Sequence, residues 1–200
     1  MQILLVSWSV GLALTIPFTW WLFTIIRKRD NYNLGFSGEQ AVGEKLNLLM
    51  LDGYRVFHDF PCPRWNIDHI IVGPSGVYAV ETKTRRKRRI AGKKAPQIFF
   101  DGKSLDFGQG KETSPLDQAE RNARWLSDTL SKALAEPIQV QPVLTFPGWW
   151  VERQGQGKVL VLNHKEFYLI LKRNGSALLS QQTIDRIVHR LEEKCRNVKF

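Results

Sequence analysis

The chain begins with a long apolar stretch. Residues 2–26 contain no charged side chain, and three basic residues follow directly at 27–29. As a helix with a rise of about 1.5 Å per residue, the stretch is about 36 Å long, enough to cross a bilayer core of about 30 Å. We therefore predict a transmembrane helix with its basic flank over residues 1–28. The flanking charges favour a single-pass protein of the inner, cytoplasmic membrane, with residues 27–200 in the cytoplasm.

A cleaved signal peptide is the alternative for the same stretch. A signal peptide has a basic start, a shorter apolar run and a small-residue cleavage site. Here no basic side chain precedes the apolar run, and the run is longer than a signal peptide needs. The pattern therefore favours a membrane span over residues 2–26.

After a polar linker predicted at residues 29–36, apolar residues recur at helical spacing. The spacing predicts an amphipathic helix over residues 37–50. Its apolar stripe consists of Val42, Leu46 and Leu49. At 100° per residue, Glu39 lies in the same arc. A carboxylate on a stripe that faces the core is unusual, although an acid in the first turn also favours the helix dipole.

Two apolar segments separated by a turn signal predict a hairpin. They are Ile67–Val72 and Val77–Thr82, and "GPSG" lies between them. A four-residue loop would pair Val72 with Val77, which places Asp68 directly opposite Glu81. Because side chains alternate along a strand, Glu81 and Lys83 share one face.

Two opposed carboxylates need a compensating charge. Side chains at opposed positions are about 5 Å apart, where two negative charges repel by about 3 kcal/mol at an effective dielectric constant of 20. A divalent cation would offset this repulsion, and Lys83 would contribute. Purely structural roles stay open as alternatives: Asp68 could simply begin a strand, and Glu81 with Lys83 could be a solvent-facing pair at the end of a strand.

The rest of the pattern predicts an α/β domain around a mixed sheet. A hairpin is expected at Asp101-Gly102, and a helix from Ser114 to about Leu134 with Ser114 as its N-cap. Gln118 lies on the flank of that helix's apolar stripe, where it could be an ordinary flanking residue. The further predicted elements are strands at 54–60, 138–146 and 158–162, a helix capped by Asn163 and Glu166 before "FYLIL", and a last amphipathic helix at 181–195.

The net charge of +10 is concentrated in one segment. Residues 83–94 contain eight basic residues and no acidic one, which favours a polyanionic partner. We predict nucleic-acid contacts by Arg85, Arg86, Lys87, Arg88, Arg89, Lys93 and Lys94. An anionic lipid surface is an alternative partner for the same segment. The four histidines show no mutual ligand spacing and are interpreted as structural.

Four segments together resemble a known family. They are "GEQAVGEKL", "IDHIIVGPSGVYAVETK", "SPLDQAE" and "PVLTF". In this order and spacing they resemble the nuclease-related domain, NERD, over residues 37–148. Residues 149–200 would add a strand and helices to the same domain. The resemblance implies a restriction-endonuclease-like fold, in which a mixed β-sheet is flanked by helices, here preceded by the transmembrane helix.

The resemblance also implies roles for single residues. Asp68 and Glu81 match the family's two strand acids, and Glu39 matches the acid of its first helix. All three would bind Mg²⁺ or Mn²⁺. Lys83 matches the catalytic lysine and Gln118 the glutamine of the later helix. The implied activity is metal-dependent hydrolysis of phosphodiester bonds, with DNA favoured as substrate. Two alternatives stay open: a non-catalytic nucleic-acid-binding module, and a basic membrane protein that binds lipid or a partner.

Overall fold

The computed structural model describes residues 2–86, 96–167 and 179–196, except for the side chains of residues 2–14. The chain divides into two compact units, Met1–Ser37 and Gly38–Phe200. Most of the predicted basic contacts and most of the "FYLIL" segment lie outside the described residues. The helices are α1 (Gln2–Asn47), α2 (Ser114–Leu134) and α3 (Gln181–Arg196).

Helix α1 is longer than the sequence pattern indicates. Residues 29–36, predicted as a linker, are helical. Their polar side chains do not oppose a helix, and they include no proline and one glycine, which destabilises a helix by only about 1 kcal/mol. A 3₁₀ turn at Leu48–Asp52 follows α1 and ends at Gly53, whose φ of 83° suits glycine.

The described residues include no helix with both the length and the apolar character that crossing a membrane requires. The predicted span at residues 2–26 includes residues 2–14, whose side chains lie outside the described part of the chain.

The strands form two mixed sheets among the described residues. In chain order they are β1 (Arg55–Pro61), β2 (Asn66–Gly73), β3 (Gly76–Thr82), β4 (Gln97–Phe100), β5 (Leu105–Asp106), β6 (Lys111–Glu112), β7 (Val140–Thr145), β8 (Trp150–Arg153) and β9 (Leu160–Leu162). The larger sheet has the order β1-β2-β3-β7-β9, and the smaller one β6-β5-β4-β8. The antiparallel β2–β3 pair beside the parallel β3–β7 pair confirms the predicted α/β fold with a mixed sheet.

The hairpin register agrees with the prediction. Val72 pairs with Val77, and Gly73 pairs with Gly76. The paired residues end at His69 and Val80, and the same register continued by one residue sets Asp68 against Glu81. The turn length and the alternation of side chains are therefore sufficient to place the two carboxylates.

The larger sheet is covered on both faces within the second unit. Leu126, Leu130 and Ile187, from α2 and α3, pack over one face. On the other face, Val42 and Leu46 from the C-terminal part of α1 pack in one cluster with Val80 of β3. Glu81 projects from β3 toward α2, at the end of the apolar cluster.

The smaller sheet was only partly predicted. Its β4–β5 hairpin at Asp101-Gly102 is present, with Phe100 paired to Leu105. The short strand β8 had no signal, because its four residues are too few to show alternation. At the start of α2 the N-cap is Thr113, one residue before the predicted Ser114. Pro115 is the second helical residue, where its missing N–H causes no loss.

Candidate active site

Asp68 is positioned by the strand that follows it in the hairpin. The backbone N–H of Thr82 donates a hydrogen bond of 2.7 Å to Oδ2 of Asp68. Among the described residues, Oδ1 of Asp68 accepts no hydrogen bond. Burial and the negative charge of Glu81 raise the pKa of Asp68 to about 7. The side chain therefore offers one fixed oxygen and one free oxygen, at a position where negative charge is disfavoured.

Glu81 is a buried carboxylate with donors on both oxygens. It is 2% exposed. Gln118 donates to Oε1 at 2.6 Å, and Asn122 donates to Oε2 at 2.8 Å. The Lys83 ammonium lies 2.8 Å from Oε1. Burial raises the pKa of Glu81, while Lys83 opposes that rise. The hydrogen bonds fix the plane of the carboxylate.

Lys83 links the buried carboxylate to solvent. Its side chain is 34% exposed. Its backbone N–H donates to the carbonyl oxygen of Thr145 at 2.9 Å, which continues the β3–β7 pairing past the end of β3. The residue is therefore anchored through its backbone, while its ammonium group can reach a ligand outside.

Glu39 joins the same electrostatic environment from α1. Burial raises its pKa, and the charges of Asp59 and Glu81 raise it further. The neighbouring Gly38 explains the close approach, since a Cβ there would overlap the side chain of Thr84. The helix can therefore come close to the chain that leaves β3. The structure thus brings together Glu39, Asp68, Glu81, Lys83 and Gln118.

Two residues of this region were missed in the sequence. Asn122 is 1% exposed, and its Oδ1 has no hydrogen-bond partner within the described part of the chain. It lies four residues after Gln118, so the i, i+4 rule for one helix face could have found it. Asp59 lies between the β1–β2 pairs His58–His69 and Phe60–Ile67 with a φ of 47°, and no local signal indicates its proximity to Glu39.

The carboxylates suit a divalent cation by chemical type. The raised pKa values of Asp68 and Glu81 indicate a position that a cation would stabilise. Within the described residues no group of three or more His, Cys, Asp or Glu side chains is arranged to hold a metal ion. Mg²⁺ commonly takes one or two protein carboxylates together with water and substrate phosphate. Asp68 and Glu81 fit that pattern, and Glu39 as a third ligand stays a prediction.

The basic segment is described only at its start. The Arg85 guanidinium forms an ion pair with Glu112 and lies 4.2 Å from the ring centroid of Phe107. Arg86 is exposed. The other predicted nucleic-acid contacts, at Lys87, Arg88, Arg89, Lys93 and Lys94, lie outside the described residues.

His58 and His69 form a pair next to α1. Their Nδ1 atoms are 2.8 Å apart, and Nε2 of His58 is 3.0 Å from Oδ1 of Asn47. Burial lowers the pKa of His69 to about 4. The pair therefore stays neutral near pH 7, in agreement with a structural role.

Comparison with protein families gives a match to the nuclease-related domain over residues 34–147. The match covers more than half of the chain. The chain belongs to the NERD family. Comparisons with curated proteins and with solved structures give no significant match. The family assignment places the carboxylates, Lys83 and Gln118 within the NERD segment, together with Asn122 and Asp59.

Proposed function

We propose that this NERD protein is a metal-dependent nuclease that hydrolyses phosphodiester bonds of DNA, with Mg²⁺ or Mn²⁺ as cofactor. One observation carries the proposal. The end of the β2–β3 hairpin combines two carboxylates of raised pKa with a partly exposed lysine, and helix α2 fixes the orientation of one carboxylate. Neutral water is a weak nucleophile, and the negative charge of the phosphate repels an attacking hydroxide. Such a group of residues can overcome both obstacles.

The cation would be held by Asp68 and Glu81, with Glu39 as a further ligand, and when bound it lowers the pKa of water and polarises the phosphate. Lys83 would contact the phosphate oxygens and stabilise the negative charge that develops during cleavage. To do so, its ammonium must leave Oε1 of Glu81 or share it. Gln118 and Asn122 would keep the Glu81 carboxylate in place during this exchange.

The basic residues would bind the substrate backbone without reading its sequence. Arg86 is available for a phosphate contact, and residues 87–94 add five further positive charges. Arg85 would first have to leave Glu112. Contacts of this kind weaken as salt rises.

A non-catalytic nucleic-acid-binding module is a second candidate. The Lys83–Glu81 ion pair favours it, because Oε1 of Glu81 already has both an ammonium and an amide partner. Membrane attachment through residues 2–26, and with it the cytoplasmic location of the domain, remains a proposal that only the sequence supports.

Cleavage assays test the proposal directly. The full chain is incubated with single- and double-stranded DNA and with RNA, in Mg²⁺, Mn²⁺ or EDTA. Asp68→Ala and Lys83→Ala are expected to abolish metal-dependent cleavage while binding of the substrate in EDTA is retained. Asp128→Ala removes an exposed carboxylate of α2 and serves as the matched control. Equal cleavage by wild type and both site variants would refute the proposal, and binding without cleavage under every condition would support the second candidate.

A further inference from the structure

Two aromatic side chains are exposed on the outer face of the smaller sheet. Trp150 on β8 is 57% exposed, and Phe99 on β4 is 38% exposed. In the parallel β4–β8 pair, Gln97 lies beside Trp150 and Phe99 beside Glu152. Since side chains alternate along a strand, both rings lie on the face opposite the buried residues of β4 and β8. Trp150 and Phe99 therefore occupy diagonal positions on one open surface.

This surface is joined to both ends of the basic segment. The backbone N–H of Trp150 donates to the carbonyl oxygen of Pro96 at 2.9 Å. The indole N–H of Trp149 donates to the carbonyl oxygen of Arg85 at 3.4 Å. Only Thr84 separates Arg85 from Lys83 in sequence. The aromatic surface is therefore connected to the lysine of the candidate active site through a short basic stretch.

The polar neighbours of the rings define which part of a nucleic acid can lie there. Glu152 and Asp106 flank Phe99 in the sheet register, and their charges would repel phosphate groups. The Gln97 amide donates a hydrogen bond to the Glu152 carboxylate at 3.4 Å, and the other polar atoms of the two side chains can form hydrogen bonds with base edges. Phosphates would then lie toward Arg86, an exposed cation that directly follows Arg85. The surface suits bases rather than backbone.

We propose that Trp150 and Phe99 form a stacking platform for unpaired bases, which makes single-stranded nucleic acid the substrate class of this protein. A duplex keeps the faces of its bases within its own stack, so it cannot use the platform. Stacking on exposed aromatic side chains tolerates any base, because every base has a flat face. As a statement about substrate, the inference rests on the proposed nuclease function. As a statement about binding, it can be tested alone.

Fluorescence anisotropy in EDTA separates binding from cleavage. The full chain is titrated into dye-labelled single-stranded DNA, single-stranded RNA or blunt duplex DNA, each of about 20 nucleotides, longer than a typical single-strand site. Trp150→Ala is expected to weaken single-strand binding about five- to hundredfold, and Phe99→Ala by less. Trp150→Phe should restore most of the affinity. Leu51→Ala, at an apolar residue that is 88% exposed, is the matched control.

The outcomes are distinct. Duplex affinity should change less than about twofold in Trp150→Ala, because phosphate contacts dominate there. An equal loss for duplex and single strand, or no loss for either, would overturn the platform, as would wild type that binds duplex more tightly than single strand. The two single-stranded arms show whether DNA or RNA is preferred. If single-strand binding depends on Trp150 and no cleavage is found, the platform stands and the nuclease function fails.

Discussion

Replacing Asp68 by asparagine is expected to stabilise the folded protein in alkaline solution while it abolishes cleavage. In the folded protein burial and Glu81 raise the pKa of Asp68 to about 7, from an ordinary value of 3.8. The folded state therefore binds this proton more tightly than the unfolded chain does. The resulting contribution to stability is complete below about pH 3.8 and is lost as the pH rises through about 7.

The size of the effect follows from the two pKa values. The difference between about 7 and 3.8 corresponds to about 4 kcal/mol that the ionised side chain removes from stability at about pH 8. Asparagine is neutral and can still accept the hydrogen bond from Thr82. The hydrogen bond from Thr82 favours the ionised form, and its effect is already contained in the pKa of about 7. We therefore expect a gain of about 4 kcal/mol at about pH 8, which shrinks toward zero near pH 4.

Thermal unfolding measures this gain. For a chain of this size, about 4 kcal/mol corresponds to a rise in Tm of about 8 to 16 °C. Wild type and Asp68→Asn are compared in EDTA at about pH 8 and about pH 4.5, with Asp128→Asn as the exposed control. Added Mg²⁺ should raise the Tm of wild type and leave that of Asp68→Asn unchanged, because only a cation that binds the folded state stabilises it.

A lower Tm for Asp68→Asn at about pH 8 would refute the reasoning, since it would mean that the ionised carboxylate stabilises the fold. A gain that is the same at both pH values would also refute it, because the argument requires titration of Asp68. An equal response of both proteins to Mg²⁺ would remove Asp68 from the proposed cation site.

Two further predictions concern residues that pack against the site or near it. Asn122→Leu leaves Oε2 of Glu81 without its donor, so kcat in steady-state cleavage should fall about 10- to 100-fold. The affinity for single strands in EDTA, measured by anisotropy, should stay within about twofold. His69→Phe should make the protein less sensitive to acid. Because the pKa of His69 is lowered, His69 contributes stability that is present above about pH 6.5 and lost as the pH falls toward about 4. The loss is about 3 kcal/mol and is measured by denaturant titrations at several pH values.

Each of these has its own control and contrary result. For Asn122, the exposed Arg124→Ala on the same helix should leave kcat unchanged, and a loss confined to affinity would contradict a role in orienting Glu81. For His69, the exposed His189→Phe is the control, and parallel loss of stability by wild type and His69→Phe between about pH 6.5 and 4 would contradict the assignment.

The sequence was most informative where local rules determine geometry. The four-residue turn and the alternation of apolar residues fix the β2–β3 register, so Asp68 and Glu81 could be set against each other without a structure. The apolar stripe of α2, in which the structure buries Leu126 and Leu130, likewise identified the flanking position of Gln118. These features depend on contacts between residues that are near in sequence or joined by a tight turn.

The sequence was less informative where the tertiary fold decides. Gln118 had no visible partner in sequence, and it donates to Glu81 only because α2 packs over β3. The approach of Asp59 to Glu39 depends on how α1 and β1 meet in the fold. Residues 29–36 had the composition of a linker, yet polar composition alone does not end a helix. Strand β8 forms because it pairs with β4, and a long-range contact of this kind cannot be predicted from four residues alone.

The ion pair between Arg85 and Glu112 changes how many charges the basic segment can contribute to counterion release. Of the eight basic residues at 83–94, Lys83 and Arg85 already have carboxylate partners. A phosphate that replaces those partners exchanges one pair for another and leaves a carboxylate exposed. At most six charges therefore remain for neutralising a backbone directly, namely Arg86 and the five basic residues that lie outside the described part of the chain. For duplex DNA this limits the segment's contribution to the slope of log K against log salt to about −5, whereas the bare sequence would suggest about −7.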